Sequence, residues 1–477
     1  MRRLAPPVVF LLAAAVLSSG PVVQTIPYRD ARPVLDTLRR DLLPADLQSK
    51  TAGEIEAAWA DWVARHDRAT RARIDHGDRD TIVNFLLFGT TFTSAPRATG
   101  ADLVALNERP REALSLFTRR IDDLVAALAA PGSNERLQFA RRFLERHGIE
   151  PETAAGRAQV RAYLQSSLLQ APAEVAASAR ALDAAKTQGD SRAELMERTV
   201  FRERGLSSDT SILVDFALDQ TLEAINAKGL LAAGSVRNVG VVGPGLDFTD
   251  KHYGYDFYPQ QTIQPFAVID SLLRLGLARI GSLQLTTFDV NERITDHIEA
   301  ARARAREGKA YELTVPRDLD APWSKALVAY WERFGARIGT AAGTVSVPPN
   351  AGNVRIRGVR VRPAVVTSIV SRTLNVVLQR LDGLTAGERF DLIVATDVLI
   401  YYDVFEQSLA LANLAALLRP GGLLLSNNAL FQLPAIPIAD VGATDIVYMP
   451  LPGLGSLRDR VHWYRRSGEN GDTPRKR

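Results

Sequence analysis

Apolar residues recur at intervals of three and four through the first half of the chain. Leu114, Phe117, Ile121, Leu124 and Leu128 form one such face, which Pro131 and Gly132 interrupt. Leu137, Phe143 and Leu144 mark a further helix, which Gly148 stops. Arg141, Arg142 and Arg146 lie near its end, where positive charge complements the helix dipole. Val160, Tyr163, Leu164, Leu168 and Leu169 give another stretch, and Ala173 to Ala185 is alanine-rich and helical by propensity. The pattern predicts an all-α domain over 26–230. No period repeats across these helices, so a solenoid is not supported.

The texture changes near Gly234. Short β-branched runs alternate with helical patterns: VRNVGVVG at 236–243, LQLTTFDV at 283–290, FDLIVATDVLI at 390–400 and GGLLLS at 421–426. Helical segments lie between them at 294–308 and 404–418, and VHWYRR at 461–466 is a last strand candidate. Strands alternating with helices predict a mainly parallel sheet with crossover helices, an α/β domain over 231–466. The tail at 467–477, rich in Gly, Pro and charge, is expected to be disordered.

Length and composition narrow the picture. The 477 residues suggest two to four domains, at ~100–200 residues each. Hydrophobic residues make up 46% and charged residues 23%, a globular composition. The absence of cysteine excludes disulfide frameworks, thiolate metal sites and cysteine nucleophiles. A net charge of +4 gives no ground for a nucleic-acid partner. At the N-terminus, Arg2 and Arg3 precede the ten-residue apolar run Val8–Leu17, and Ser18, Ser19 and Gly20 follow. This reads as a signal peptide over 1–20, because a span needs ~20 apolar residues. The expected location is exported or periplasmic. It is cytoplasmic if the start codon is misassigned or the signal is not used, and an uncleaved N-terminal anchor is the other alternative.

Candidate chemistry begins with VGVVGPGLDF at 239–248. A buried strand ends at Gly243 and Gly245 follows, a turn that lets a ligand approach the backbone. Asp289 ends the next strand, where a carboxylate can accept both hydroxyls of a ribose. It lies 46 residues beyond Gly243, against the ~20 of a dinucleotide fingerprint, which disfavours a dehydrogenase.

The third block, FDLIVATDVLIYYDVFEQSLALANLAALLRPGGLLLSNN at 390–428, resembles the class I S-adenosylmethionine-dependent methyltransferases. Phe390, Asp391, Asp397, Leu399, Tyr401 and the Leu418-Arg419-Pro420-Gly421-Gly422 block carry the likeness, and DVLIYYD is similar to chemotaxis-receptor methyltransferases. The resemblance covers roughly residues 234–466. It implies a Rossmann-like doubly wound fold with S-adenosylmethionine as cofactor. Gly243 and Gly245 would face the methionine part, Asp289 would bind the ribose, and Asp397 with Tyr401 would line the reaction centre. The methyl acceptor, a small molecule or a protein side chain, is not identified. Two positions depart from the family: Val241 stands where an acid is usual and Asp247 where a third glycine is usual. These departures and the export signal motivate a rival reading, a non-catalytic exported binding or scaffold protein on a degenerate methyltransferase fold.

Other features are weaker. Tyr253, Tyr255 and Tyr258, with Phe257, are expected to close as a lid over the pocket bounded by Gly243, Gly245, Asp289 and Asp397; the alternative is that they anchor the helical domain onto the sheet. Asp75, His76, Asp78 and Asp80 match no metal-ligand spacing, so no metal is assigned. Arg355, Arg357, Arg360 and Arg362 read as a solvated strand edge. Asn427 and Asn428 directly follow the strand at 421–426 and are expected to cap the loop after it.

Overall fold

The computed structural model describes residues 21–187, 205–250, 253–451 and 455–468. The expected signal peptide at 1–20 and nearly all of the expected disordered tail lie outside the described residues.

Twelve strands are described: β1 (Val22–Thr25), β2 (Asn238–Val242), β3 (Gln284–Asp289), β4 (Tyr311–Asp318), β5 (Gly339–Ala342), β6 (Val354–Val361), β7 (Ile369–Thr373), β8 (Gln379–Asp382), β9 (Phe390–Val394), β10 (Leu418–Ser426), β11 (Ile438–Leu451) and β12 (Gly455–Arg466). Seven form the main sheet in the order β11-β12-β10-β9-β2-β3-β7. The five from β10 to β7 run parallel, and β12 and β11 close one side antiparallel. β9 is buried at every position and β2 at all but its first. A strand buried on both faces has no polar side to alternate with, which is why both read as continuous apolar runs.

Helices cover both faces. Ile212–Ala227, Gln264–Arg274 and Glu292–Arg306 share one core with β2, β3 and β12 through Phe216, Phe266, Ile298, Val241, Leu285 and Trp463. The opposite core joins Val404–Leu417 to Tyr28–Thr37 and the first half of Ala52–Phe88, through Phe405, Leu35, Trp59 and Trp62. The long helix starts at a capping box in which Thr51 and Glu54 satisfy each other's backbone amides.

The expected separate all-α domain over 26–230 is therefore corrected. Just before it, β1 pairs antiparallel with β8, and within it the helices at both ends are layers on the sheet, so the region is not a separate unit. The physical reason is that a sheet of doubly buried strands needs apolar cover on both faces, and the N-terminal helices supply part of it. A distinct helical cluster remains in the middle. The second half of Ala52–Phe88 packs there with Thr118–Ala129, Glu135–Arg146 and the start of Ala154–Thr187.

The stretch 309–365, which has no regular pattern in sequence, contains a three-stranded antiparallel sheet in the order β4-β6-β5. β6 is its central strand, which corrects the expected edge. Its arginines do not simply face solvent: Arg355 and Arg357 lie over the Trp331 ring, at 5.7 and 5.5 Å, and Arg360 pairs with Glu312. Cation–π contact and a cross-strand ion pair let a basic strand sit in the middle of a sheet.

Candidate functional site

The chain runs from β2 outward to β3 and β7, then returns to the other side of β2 as β9. A reversal of this kind leaves a crevice at the carboxyl ends of the strands. A cavity of about 860 Å³, its open mouth included, lies there. Val242 ends β2 and Gly243 and Gly245 follow it, Phe288 and Asp289 end β3, Leu374–Val376 follow β7, and Thr396–Val398 follow β9. The structure thus brings Gly243, Gly245, Asp289, Asp397 and Tyr401 to one cavity.

Gly243 has φ +63°, and a Cβ there would lie 2.4 Å from Val398 Cγ2. Its amide donates to the Phe288 carbonyl at 2.8 Å, so the turn is fixed across two strand ends. Asp289 accepts from the Asn291 amide at 2.8 Å. Burial pushes its carboxyl up to about 7, partly opposed by that amide and by Arg293. Asp397 has φ +57°, the one positive φ at a non-glycine among the described residues. Asn427 holds it there from both sides: the Asp397 amide donates to Asn427 Oδ1 at 2.9 Å, and Asn427 Nδ2 donates to Asp397 Oδ1 at 2.5 Å. Aspartate tolerates this left-handed backbone better than most residues, and Asn427 fixes it there. Asn427, expected as a loop cap, orients Asp397. Tyr401 is placed by its carbonyl, which accepts from Arg73 at 2.7 Å.

Asp391 and the Leu418–Gly422 block sit at the other end of the sheet. Asp391 Oδ2 accepts from the amides of Arg237 and Asn238 at 2.7 and 2.9 Å, and its Oδ1 from Arg419. These residues clasp β2, β9 and β10 together and do not touch the cavity.

The tyrosines do not form the expected lid. Tyr253, Tyr255 and Tyr258 are absent from the cavity lining. Tyr253 accepts from Trp323 Nε1 at 2.6 Å, the Arg97 guanidinium lies 4.7 Å from the Tyr255 ring centre, and Tyr258 donates to Asp247 Oδ2 at 2.9 Å. Between them, Asp256 accepts from the amides of Thr90 and Thr91 at 2.8 and 3.0 Å. The segment is stitched to the helical cluster because its carboxylate and ring faces match amides and arginines there. It is the anchor, not the lid.

The wall that sequence reasoning missed is a strap. Leu206–Thr210 and Ile74 of the long helix line the cavity. Leu206 donates to the Arg73 carbonyl at 3.1 Å, and the Ser208 carbonyl accepts from Leu246 at 2.8 Å. Arg293 reaches Ser208 Oγ at 3.0 Å and Asp78 Oδ1 at 3.5 Å, tying strap to helix. The DHGDRD residues thus serve ion pairing, with Asp75 also meeting His147 at 2.9 Å. A Ser/Asp/Thr cluster before an apolar helix signals an N-cap, and Ser211 caps Ile212–Ala227. Nothing in that signal places the strap over a cavity.

Asp209 on the strap and Asp247 near the turn are also pushed up to about 7, chiefly by burial and then by a neighbouring carboxylate. The sign follows. A carboxyl whose folded pKa lies above its unfolded one binds more protons when folded, so stability falls as pH rises between about 4 and 7. The carboxylates held below their usual range, such as Glu54 and Asp102, act below that window. Thermal melts are expected to fall from pH 5 to pH 8. A melting temperature that rises steadily across that range would show that Asp209, Asp247 and Asp289 are compensated.

No family model and no curated relative matches the chain. Solved structures similar to it include the N-methyltransferase NodS from Bradyrhizobium japonicum WM9, 14% identical with a TM-score of 0.25, over 53% of this chain and 97% of that one. An O-methyltransferase family protein from Burkholderia thailandensis is 13% identical with a TM-score of 0.24, over 78% and 99%. The glycopeptide N-methyltransferase MtfA, complexed with S-adenosylmethionine, is 10% identical with a TM-score of 0.21, over 53% and 94%.

Proposed function

We propose that the chain is an S-adenosylmethionine-dependent methyltransferase. One observation carries the reading. The cavity is lined by three carboxylates, Asp209, Asp289 and Asp397, and by no lysine, arginine or histidine among the described residues. Helix N-termini do reach it, at Gln264 and at Asn291, but three carboxylates with no cation beside them on the lining disfavour the two negative charges of a pyrophosphate. A nucleoside carrying a sulfonium cation suits acceptor oxygens instead.

S-adenosylmethionine, when bound, supplies a methyl group activated by sulfonium charge. The chain's residues do the rest. Gly243 and Gly245 give backbone approach where a side chain would fill the cradle. Asp289 accepts the ribose hydroxyls. Asp397, locked by Asn427, sets charge beside the reaction centre, with Tyr401 at its edge. Orientation alone can supply ~7–11 kcal/mol, so no histidine base is required.

Calorimetric titration with S-adenosylhomocysteine and, separately, NAD tests this reading. One-to-one binding of the former and none of the latter is expected. Binding of NAD alone overturns the proposal. Tight S-adenosylhomocysteine binding with no methyl transfer to any acceptor would favour the non-catalytic reading.

We also propose export, on the pattern of residues 1–20. Cleavage after Gly20 would leave β1 and its pairing with β8 intact. Mass spectrometry of the native protein is expected to find residues 1 to about 20 removed. An intact Met1 on a cytosolic protein would overturn this.

A further inference from the structure

Arg293 is absent from the cavity lining but stands close behind it, four residues beyond Asp289 in the first turn of Glu292–Arg306. Its position is unfavourable on two counts. A cation in the first turn opposes the helix dipole, and burial of the guanidinium pushes its pKa down. An arginine kept there against both costs has to be offset by the groups it meets.

Those groups come from other segments of the chain. Nη2 donates to Ser208 Oγ on the strap at 3.0 Å and to Asp78 Oδ1 on the long helix at 3.5 Å. Nη1 donates to Gln260 Oε1 at 3.4 Å, and the guanidinium carbon lies 4.2 Å from the centre of the Phe139 ring. The anchors are themselves held. Asp78 is buried and lies 3.8 Å from Arg146, and the Gln260 amide donates to Glu135, on the helix that carries Phe139. Ser208 is buried and lines the cavity beside Asp209. The strap has further ties in the main-chain bonds of Leu206 and Ser208, and in Thr81 Oγ1, which donates to Asp209 Oδ2 at 3.4 Å. A rigid fork of donors lets one side chain hold acceptors on three segments at once.

We propose that Arg293 is a positioning residue of the donor site, which latches the strap over the cavity and turns its charge toward the carboxylates on both walls. The inference rests on the methyltransferase reading for the identity of the donor, while the latch stands on the contacts of Arg293 alone. Asp289 lies on the β3 side of the cavity and Asp209 on the strap. Burial raises both carboxyls, Asp247 adds to the rise at Asp209, and Arg293 is the cation that opposes it at each. The other groups around Asp289 do not replace it. The Tyr402 phenol is pushed up by burial and stays neutral, and Arg71 donates to the Val290 carbonyl at 3.2 Å while paired with Asp67 at 2.9 Å.

The test reads the latch and the charge separately. Hydrogen–deuterium exchange at residues 206–210 is followed in the full chain without ligand, and S-adenosylhomocysteine is titrated into it from pH 6 to pH 9. Arg293→Gln is expected to speed exchange at the strap roughly ten-fold or more. It should also move the midpoint of the pH-dependent affinity up by about one unit, because Asp289 loses its cation. Arg293→Lys keeps the charge without the fork, so its midpoint should stay near the parent's while the strap still exchanges faster. Ser208→Ala removes the 3.0 Å bond and leaves the cation, so it should speed exchange with the midpoint unmoved. It also decides the latch should Arg293→Gln fail to fold. Parent-like exchange in Arg293→Gln or Ser208→Ala would overturn the proposal. So would an unmoved midpoint in Arg293→Gln, since the arginine would then be a structural tie alone. A parent chain that does not bind S-adenosylhomocysteine would overturn the donor reading, and the exchange measurement would still uphold or overturn the latch.

Discussion

Asp289→Ala is expected to weaken S-adenosylhomocysteine binding by about 1.5–3 kcal/mol, roughly 10- to 150-fold, the range for hydrogen bonds to a charged group. The fold should survive. Asp289 ends β3 with its backbone carbonyl accepting from Leu374 at 2.8 Å, a bond the substitution leaves in place. The change also removes a carboxylate whose burial is a cost. The pH dependence sharpens the test. With its carboxyl at about 7, Asp289 is largely ionised at pH 8 and largely protonated at pH 6. Hydroxyls donate more strongly to the anion, so affinity should fall as pH drops through 7, by up to ~10-fold per unit below it. Asp289→Asn keeps the shape without the titration and should bind weakly with a flatter profile. Unchanged affinity in Asp289→Ala, with melting intact, would remove Asp289 from the site.

The ease of reading the site from sequence and the difficulty of reading its roof have one cause. Gly243, Asp289 and Asp397 each lie at or just past the end of a doubly buried strand. Their order along the chain already places them at one edge of a parallel sheet, with no knowledge of tertiary contacts needed. The strap at 206–210 reaches the same cavity through hydrogen bonds to Arg73 and Leu246, contacts made far along the chain that no local pattern encodes. The aromatic segment misleads for a related reason. Tyrosines after a glycine turn point to a lid, but Asp256 decides for the anchor through Thr90 and Thr91, more than 160 residues away. β6 shows the limit of charge patterning. Alternating arginines imply water, yet Trp331, from another element, offers them a ring face. The family-like Leu418–Gly422 block was legible as a motif, but its task is mechanical: Arg419 clasps Asp391 at the end of the sheet away from the cavity.

Gly77→Ala should open that roof. Gly77 lies inside Ala52–Phe88, where glycine costs ~1 kcal/mol relative to alanine, so propensity alone favours the substitution. Packing opposes it. A Cβ on Gly77 would stand 2.0 Å from the Leu206 carbonyl oxygen and 2.5 Å from its carbon. Gly205 meets the helix in the same way, its own Cβ falling 2.1 Å from the Gly77 nitrogen. The strap and the helix therefore touch backbone to backbone, and an obstructing main chain cannot rotate aside as a side chain can. Relieving the clash means lifting Leu206, and with it the wall that Leu206–Thr210 give the cavity. Overpacking of this kind costs about 1–3 kcal/mol, more than the propensity gain at the upper end. Gly77→Ala is expected to lower the melting temperature and to weaken S-adenosylhomocysteine binding at least ten-fold, since the lifted strap no longer excludes water from the donor. Gly53→Ala is the control: it lies in the first turn of the same helix with nothing within 4 Å of its Cβ, and should leave binding unchanged and stability equal or higher. A Gly77→Ala protein that melts and binds like the parent would show that the strap does not depend on this contact and is not the wall that closes the site.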